Sequence, residues 1–181
     1  MEKEVSGVLS LIHGRKSVRS FTGAAVSREE LLTLARAGMA APSAVNTQPW
    51  EFIIVTDRTL LDRLCSGLPY AKMLATAGAA LVACGDPQQA HRRMAEFAVI
   101  DTSLACENIL LAAEALGLGA VWTAAYPYED RMNTVRMILD VPPSIIPLAV
   151  IPVGHPTGID LPKDKFRNEK IRWERWTHAR S

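Results

Sequence analysis

Apolar residues along the chain switch between helical and alternating spacing and predict a mixed succession of helices and strands. Val5 to His13 reads as a short amphipathic helix. Ser27 followed by Glu30 forms a capping box, and Leu31, Leu32, Leu34 and Ala35 carry a helix onward from it. That helix has to stop near Ala41, because Pro42 disfavours helical geometry in the residue before it. Glu51 to Thr56 is β-rich, and Asp57 then caps a helix bearing Leu60, Leu61 and Leu64. Ala79 to Cys84 is apolar throughout, which is the pattern of a central strand.

A long helix is predicted from about His91 to Leu116, with Phe97, Ile100, Leu104, Leu111 and Ala115 at roughly helical spacing. Its second half, Leu104 to Leu118, is apolar on almost every side and is expected in the core or in a subunit interface. Gly117 is its natural stop. Ala120 to Ala124 predicts a strand, Glu129 to Leu139 a helix ended by Val141-Pro142-Pro143, and Ile146 to Val153 a further strand. Pro147 and Pro152 place that last strand at an edge or limit its pairing. After Gly154 the chain is polar and rich in turn formers up to Pro162, yet it still carries Phe166, Ile171, Trp173 and Trp176. An arm wrapped over a partner subunit would cover them. The order of elements alone suggests only a three-layer α/β protein.

At 181 residues, 49% of them hydrophobic, the chain has the size and composition of one domain with a real core, spanning 1–181 with 155–181 as a C-terminal arm. The 20 Lys plus Arg balance 19 Asp plus Glu, so the overall field of a nucleic-acid binder is missing. Basic residues gather instead near both ends, and Lys163, Lys165, Arg167, Lys170, Arg172, Arg175 and Arg180 form the second group. Cys65, Cys84 and Cys106 are odd in number and widely spaced, which argues against a disulfide framework or a zinc site. They read as reduced, mostly buried thiols. The start of the chain does not resemble a signal peptide and no apolar run reaches the length of a membrane span, so a cytoplasmic protein is expected.

Two segments carry the candidate chemistry. Arg15-Lys16-Ser17-Val18-Arg19 packs three cations and a hydroxyl together, enough to hold a phosphate by charge-assisted hydrogen bonds, although a solvated turn has the same composition. Pro42-Ser43-Ala44-Val45-Asn46-Thr47-Gln48-Pro49-Trp50 offers small and amide side chains that suit the edge of a planar polar ring, in a loop launched from a helix end. Gly117-Leu118-Gly119 lacks the dinucleotide fingerprint and follows a helix, so it is not a Rossmann site. His13, His91, His155 and His178 show no metal spacing. Asp101 and Glu107, six apart on one helix, read as structural. No self-sufficient protein nucleophile or acid-base set is visible.

These segments closely resemble the nitroreductase family of FMN-dependent oxidoreductases. Arg15, Lys16, Ser17, Arg19 and Phe21 follow its Arg-Arg-Ser-x-Arg-x-Phe pattern, and residues 42–50 follow its Pro-Ser-x-x-Asn-x-Gln-Pro-Trp. Asn108 to Trp122 is similar to its Asn-x-Leu-Leu-Ala-Ala-x-x-x-Gly-Leu-Gly-x-x-Trp. The resemblance implies an α+β three-layer sandwich with a mainly antiparallel sheet flanked by helices, in an intertwined homodimer with FMN at the interface. It further implies that Arg15, Lys16, Ser17 and Arg19 hold the phosphate, ribityl chain and pyrimidine edge. Pro42, Ser43, Ala44 and Asn46 would reach the flavin from the neighbouring subunit, and Thr123, Ala124 and Ala125 would pass beside its ring. Ala44 stands where the family often has Ser, and Ala124 and Ala125 where it often has a Gly pair. Lys165, with Arg167 as the alternative, falls near a phosphate-binding cation, while Lys72 and Met73 fall at the substrate mouth. The implied reaction is hydride transfer from NAD(P)H through the flavin to a nitroaromatic, quinone or similar acceptor by a ping-pong mechanism. Reductive dehalogenation, or FMN binding without turnover, is the alternative on the same fold.

Overall fold

The computed structural model describes residues 7–176. Five helices and five short strands follow one another as α1 (Gly7–Gly14), α2 (Arg28–Met39), β1 (Trp50–Val55), α3 (Arg58–Gly67), β2 (Ala79–Gly85), α4 (Ala95–Ala115), β3 (Gly119–Ala120), β4 (Thr123–Ala124), α5 (Glu129–Leu139) and β5 (Ile146–Gly154). The predicted start of α1 at Val5 lies outside the described residues. The sheet runs β1-β2-β5-β3, with β4 also paired to β5, and every pairing is antiparallel. The fold is thus α+β, and the parallel arrangement that an alternating element order would have allowed does not occur.

Period-two alternation on β2 builds the three layers. Ala80, Val82 and Cys84 pack toward Leu61 and Leu64 of α3 and Val135 and Ile138 of α5. Ala79, Leu81 and Ala83 point the other way, into a cluster with Leu31 and Leu34 of α2 and Cys106, Ile109 and Ala113 of α4. All seven residues of β2 are buried, as expected of a central strand.

The local signals for the helix boundaries act as expected. Ser27 accepts the N–H of Glu30 at 3.2 Å while the Glu30 carboxylate accepts the N–H of Ser27 at 2.8 Å, so two orphan donors at the start of α2 are satisfied together. Asp57 caps α3 by accepting the N–H of Leu60 at 3.0 Å. Gly117 takes φ +71 after α4, where the Leu118 N–H returns to the Ala113 carbonyl at 2.9 Å.

Two expectations change, and a third is decided between its alternatives. The long helix begins at Ala95 instead of His91, because Arg92 and Arg93 adopt left-handed φ of 54 and 55 and close a separate turn. In place of one strand over 120–124, residues 119–124 form two strands of two residues, β3 and β4, with Val121 and Trp122 between them. β5 is an interior strand, and its prolines limit its pairing instead. β3 pairs with Val153 and Gly154 and β4 with Ala149 and Val150, so Pro152 falls in the gap between them, while Pro147 sits at the register shift opposite Cys84.

Helix α4 buries Ala98, Asp101, Thr102, Ala105, Cys106, Ile109 and Ala113. The larger Ile100 and Leu104 remain exposed on its outer side. The apolar surroundings of this helix are therefore divided between the core and an uncovered face. Phe166, Ile171, Trp173 and Trp176 are likewise exposed. No described helix is long and apolar enough to cross a membrane.

Candidate active site

Residues 15–22 lie in a fixed path between the sheet and the start of the C-terminal segment. The N–H of Val18 donates to the Ala120 carbonyl of β3 at 3.0 Å, and the Val18 side chain is buried against Gly119. Phe21 is buried and forms a bridge to Pro156, while the N–H of Thr22 donates to His155 and that of Thr157 to Ser20. Val18 and Phe21 anchor inward, and Arg19 between them is exposed.

Those cations differ in how they are held. Nε of Arg15 lies 3.4 Å from the Glu107 carboxylate and Nζ of Lys16 lies 2.6 Å from that of Glu114, both acids being on α4. Arg19 makes no ion pair among the described residues; its side chain donates to the Ser17 carbonyl at 3.4 Å. The backbone N–H groups of Arg19 and Ser20 both donate to Asp160, at 3.1 and 3.3 Å, and this ties the returning C-terminal segment over the basic turn. A concavity of about 520 Å³ results, with Arg15, Lys16, Ser17 and Arg19 on one side and Leu161, Lys163 and Lys165 on the other. Lys165 also lines an adjoining hollow with Arg15 and His13. Arg167 lines neither, and its guanidinium donates to the Phe166 carbonyl at 2.9 Å.

A second concavity, of about 650 Å³, shares Arg19 with the first. Lys72, Met73, Thr123 and Ala124 line it, together with Tyr70, Trp122, Tyr128 and Arg131. Ala125 does not: it is buried, and its N–H donates to Leu148 at 3.0 Å. The Thr123 hydroxyl bonds to the Val150 carbonyl and pins β4 to β5.

The Pro42 to Trp50 loop lines neither concavity of its own chain. It is nonetheless tightly specified. Val45, Asn46 and Gln48 all take left-handed φ, at 46, 59 and 51, a conformation that costs energy for residues with a Cβ. The Ser43 hydroxyl accepts the Gln48 N–H at 3.0 Å, the Asn46 side-chain carbonyl accepts from the Gln48 amide at 3.0 Å, and the buried Asp101 carboxylate accepts the Ala44 N–H at 3.1 Å.

A family profile described as the Nitroreductase family matches residues 12–68 and 65–155. The chain belongs to the nitroreductase family. A relative from Methanothermobacter thermautotrophicus, named "Putative NADH dehydrogenase/NAD(P)H nitroreductase", is 39% identical over 169 residues, covering 93% of this chain and 87% of its own. A crystal structure from Parabacteroides distasonis bearing the same name matches at TM-score 0.90 and 47% identity, over 95% of this chain and 100% of its own. A Desulfovibrio desulfuricans structure named "putative nitroreductase in complex with fmn" matches at TM-score 0.82 and 28% identity, over 96% of this chain and 99% of its own.

For this nitroreductase-family chain, sequence reasoning found the outer residues of the two concavities and missed several partners. Asp101 and Glu107, read as merely structural, hold the Ala44 loop and Arg15. Glu114 and Asp160 were not singled out at all, because each meets its partner across 98 and 140 or more residues of chain. Tyr128 and Arg131 lie three apart at the start of α5, the spacing of helical neighbours, and that spacing was the one available signal.

Proposed function

We propose that the protein is an NAD(P)H-dependent FMN oxidoreductase of the nitroreductase type. The observation that carries the reading is the pair of adjoining concavities joined at Arg19, one rich in cations and the other walled by aromatic side chains and the β4 backbone. This division suits a ligand with a phosphate at one end and a conjugated ring at the other, so the residues present fit FMN. Arg15, Lys16, Ser17, Arg19 and Lys165 would hold the phosphate, ribityl chain and pyrimidine edge. Thr123 and Ala124 would lie along the ring, with Ala125 buried behind them as support, and Lys72 and Met73 at the mouth. Lys165 is favoured over Arg167, which lines neither concavity.

When bound, FMN supplies the hydride and electron chemistry that the protein's own side chains do not offer. The chain's contribution is to seat the cofactor, to keep its ring against a fixed strand and to leave the aromatic-walled side open to reductant and acceptor in turn. Successive use of one space supports a ping-pong mechanism, read as parallel lines in double-reciprocal plots with a nitroaromatic or quinone acceptor.

The functional unit is a homodimer of single-domain subunits in which residues 155–176 belong to the C-terminal arm; the rest of the arm expected over 155–181 lies outside the described residues. Pro42, Ser43, Ala44 and Asn46 complete the flavin site of the partner. The exposed Ile100, Leu104, Trp173 and Trp176, and a strained loop turned away from its own chain's concavities, support this assembly. A monomer by light scattering at micromolar concentration would overturn it. Free Cys65, Cys84 and Cys106 and the use of NAD(P)H suit the cytoplasm.

The deciding experiment is the absorption spectrum of the purified protein, identification of the released chromophore by mass, and anaerobic addition of NADH or NADPH. Flavin bands that bleach on addition support the reading. A yellow protein that stays oxidised is a passive FMN binder, and a colourless protein that takes up no FMN removes the cofactor assignment.

A further inference from the structure

Resting on the reading just given, we propose that the aromatic-walled concavity selects electron acceptors carrying a carboxylate or similar oxyanion on a planar ring, and that Arg131 recognises that charge. The lining of this space includes three cations, Arg19, Lys72 and Arg131, and no carboxylate. None of the three is ion-paired among the described residues, whereas Arg15 and Lys16 in the neighbouring concavity each have an acid from α4. Arg19 is assigned to the flavin. Lys72 and Arg131 are left as positive charges without a counter-ion at the mouth.

Arg131 is built into the wall. Its guanidinium carbon lies 3.7 Å from the centre of the Tyr128 ring and 5.2 Å from that of Tyr70. These contacts hold the guanidinium in the wall and leave the terminal nitrogen that is not bonded to Ala124 for an acceptor. One terminal nitrogen donates to the Ala124 carbonyl at 3.3 Å, which fixes the group beside the strand expected along the flavin ring. Nε is buried and bonds to nothing among the described residues. A positive charge kept half-buried without an acid costs desolvation energy, which the two ring contacts and the single Ala124 carbonyl offset only in part. An anionic ligand in the concavity supplies the missing counter-charge through charge-assisted hydrogen bonds from the terminal nitrogens. Tyr70, Trp122 and Tyr128 supply the apolar faces for its ring.

The test is calorimetric titration of 4-nitrobenzoate and the neutral 4-nitrobenzamide into the protein as purified, wild type and Arg131→Gln, with FMN content measured on the same samples. Wild type should bind the anion about tenfold or more tightly than the amide, and Arg131→Gln should bring that ratio to within about twofold of unity. Arg131→Lys keeps the charge without the planar fork and should give an intermediate ratio; it decides the matter if the Gln variant does not fold. Equal affinities in wild type, or a preference that survives in Arg131→Gln, overturn the proposal. If the charge serves the 2′-phosphate of the reductant, NADPH and not nitrobenzoate loses affinity in the variant, and the assignment to the acceptor likewise falls. Because the readout is heat, the anion preference is decided whether or not the sample holds FMN, and the flavin reading stands or falls on the cofactor content alone.

Discussion

The carboxylate of Asp101, buried on α4, accepts the backbone N–H of Ala44 at 3.1 Å and so ties the left-handed loop at residues 43–48 to the longest helix of the fold. Removing the acceptor leaves a strained loop without one of its restraints. Asp101→Ala should lower stability by about 1–3 kcal/mol, the range for a buried donor losing its partner. It should also weaken FMN retention if the loop completes a neighbouring site. Denaturant midpoints and FMN dissociation constants, measured side by side, check the two effects; a variant unchanged in both would show that the contact is incidental.

Arg15 and Arg19 line the same concavity from opposite electrostatic states, the first paired with Glu107 and the second without an acid. Arg19→Ala should weaken FMN binding by about 1.5–3 kcal/mol, the value of a charged hydrogen bond. The loss in Arg15→Ala should be smaller, because the Glu107 charge already offsets part of its attraction. Fluorescence titration of FMN into the two apo variants gives the comparison, and equal wild-type affinity in both would remove the phosphate assignment.

A Cβ added to Gly119 would lie 2.5 Å from Cγ1 and 2.7 Å from Cβ of Val18. The neighbour cannot yield easily, since Val18 is also held by its N–H bond to Ala120. Gly119→Ala should therefore cost about 1–3 kcal/mol by overpacking and should loosen the whole basic turn. A lowered thermal midpoint together with reduced FMN content is expected; a midpoint matching wild type would mean that the turn moves freely.

Burial pushes the Cys84 and Cys106 thiols up to about 12. In the unfolded chain they ionise near about 8.5. Between those values the unfolded state releases protons that the folded state keeps, so their contribution to stability is complete below the lower value and falls as pH rises toward the upper. The denaturant midpoint should decline from pH 8 to pH 10, and the decline should be shallower in Cys84→Ala. In thiol counting with an aromatic disulfide near pH 8, only the half-buried Cys65 should react before denaturant is added and all three afterwards.

Local chemistry was largely legible from the sequence. The Ser27–Glu30 box, the Asp57 cap, the Gly117 stop and the all-apolar β2 each depend on neighbours within a few residues, and each formed where it was read. Pro147 and Pro152 left open an edge strand or an interrupted ladder, and only the positions of β3 and β4 decide for the second. Arg92 and Arg93 broke a helix that apolar spacing continued, since spacing carries no record of φ. In the site, residues belonging to contiguous motifs were visible. The acids that hold them were not, because Glu107, Glu114 and Asp160 are neighbours of the basic turn only after the chain has folded back.

The two concavities draw their walls from different parts of the chain. The basic one is braced by α4 and the C-terminal segment, while Tyr70 and Lys72 come from the turn before β2, and Tyr128 and Arg131 from the start of α5. Substitutions at these last four positions leave the ion pairs of Arg15 and Lys16 untouched. If the proposed division of the site holds, substrate preference can drift, or be redirected in the laboratory by a library confined to four sites, without disturbing the ion pairs that brace the basic concavity.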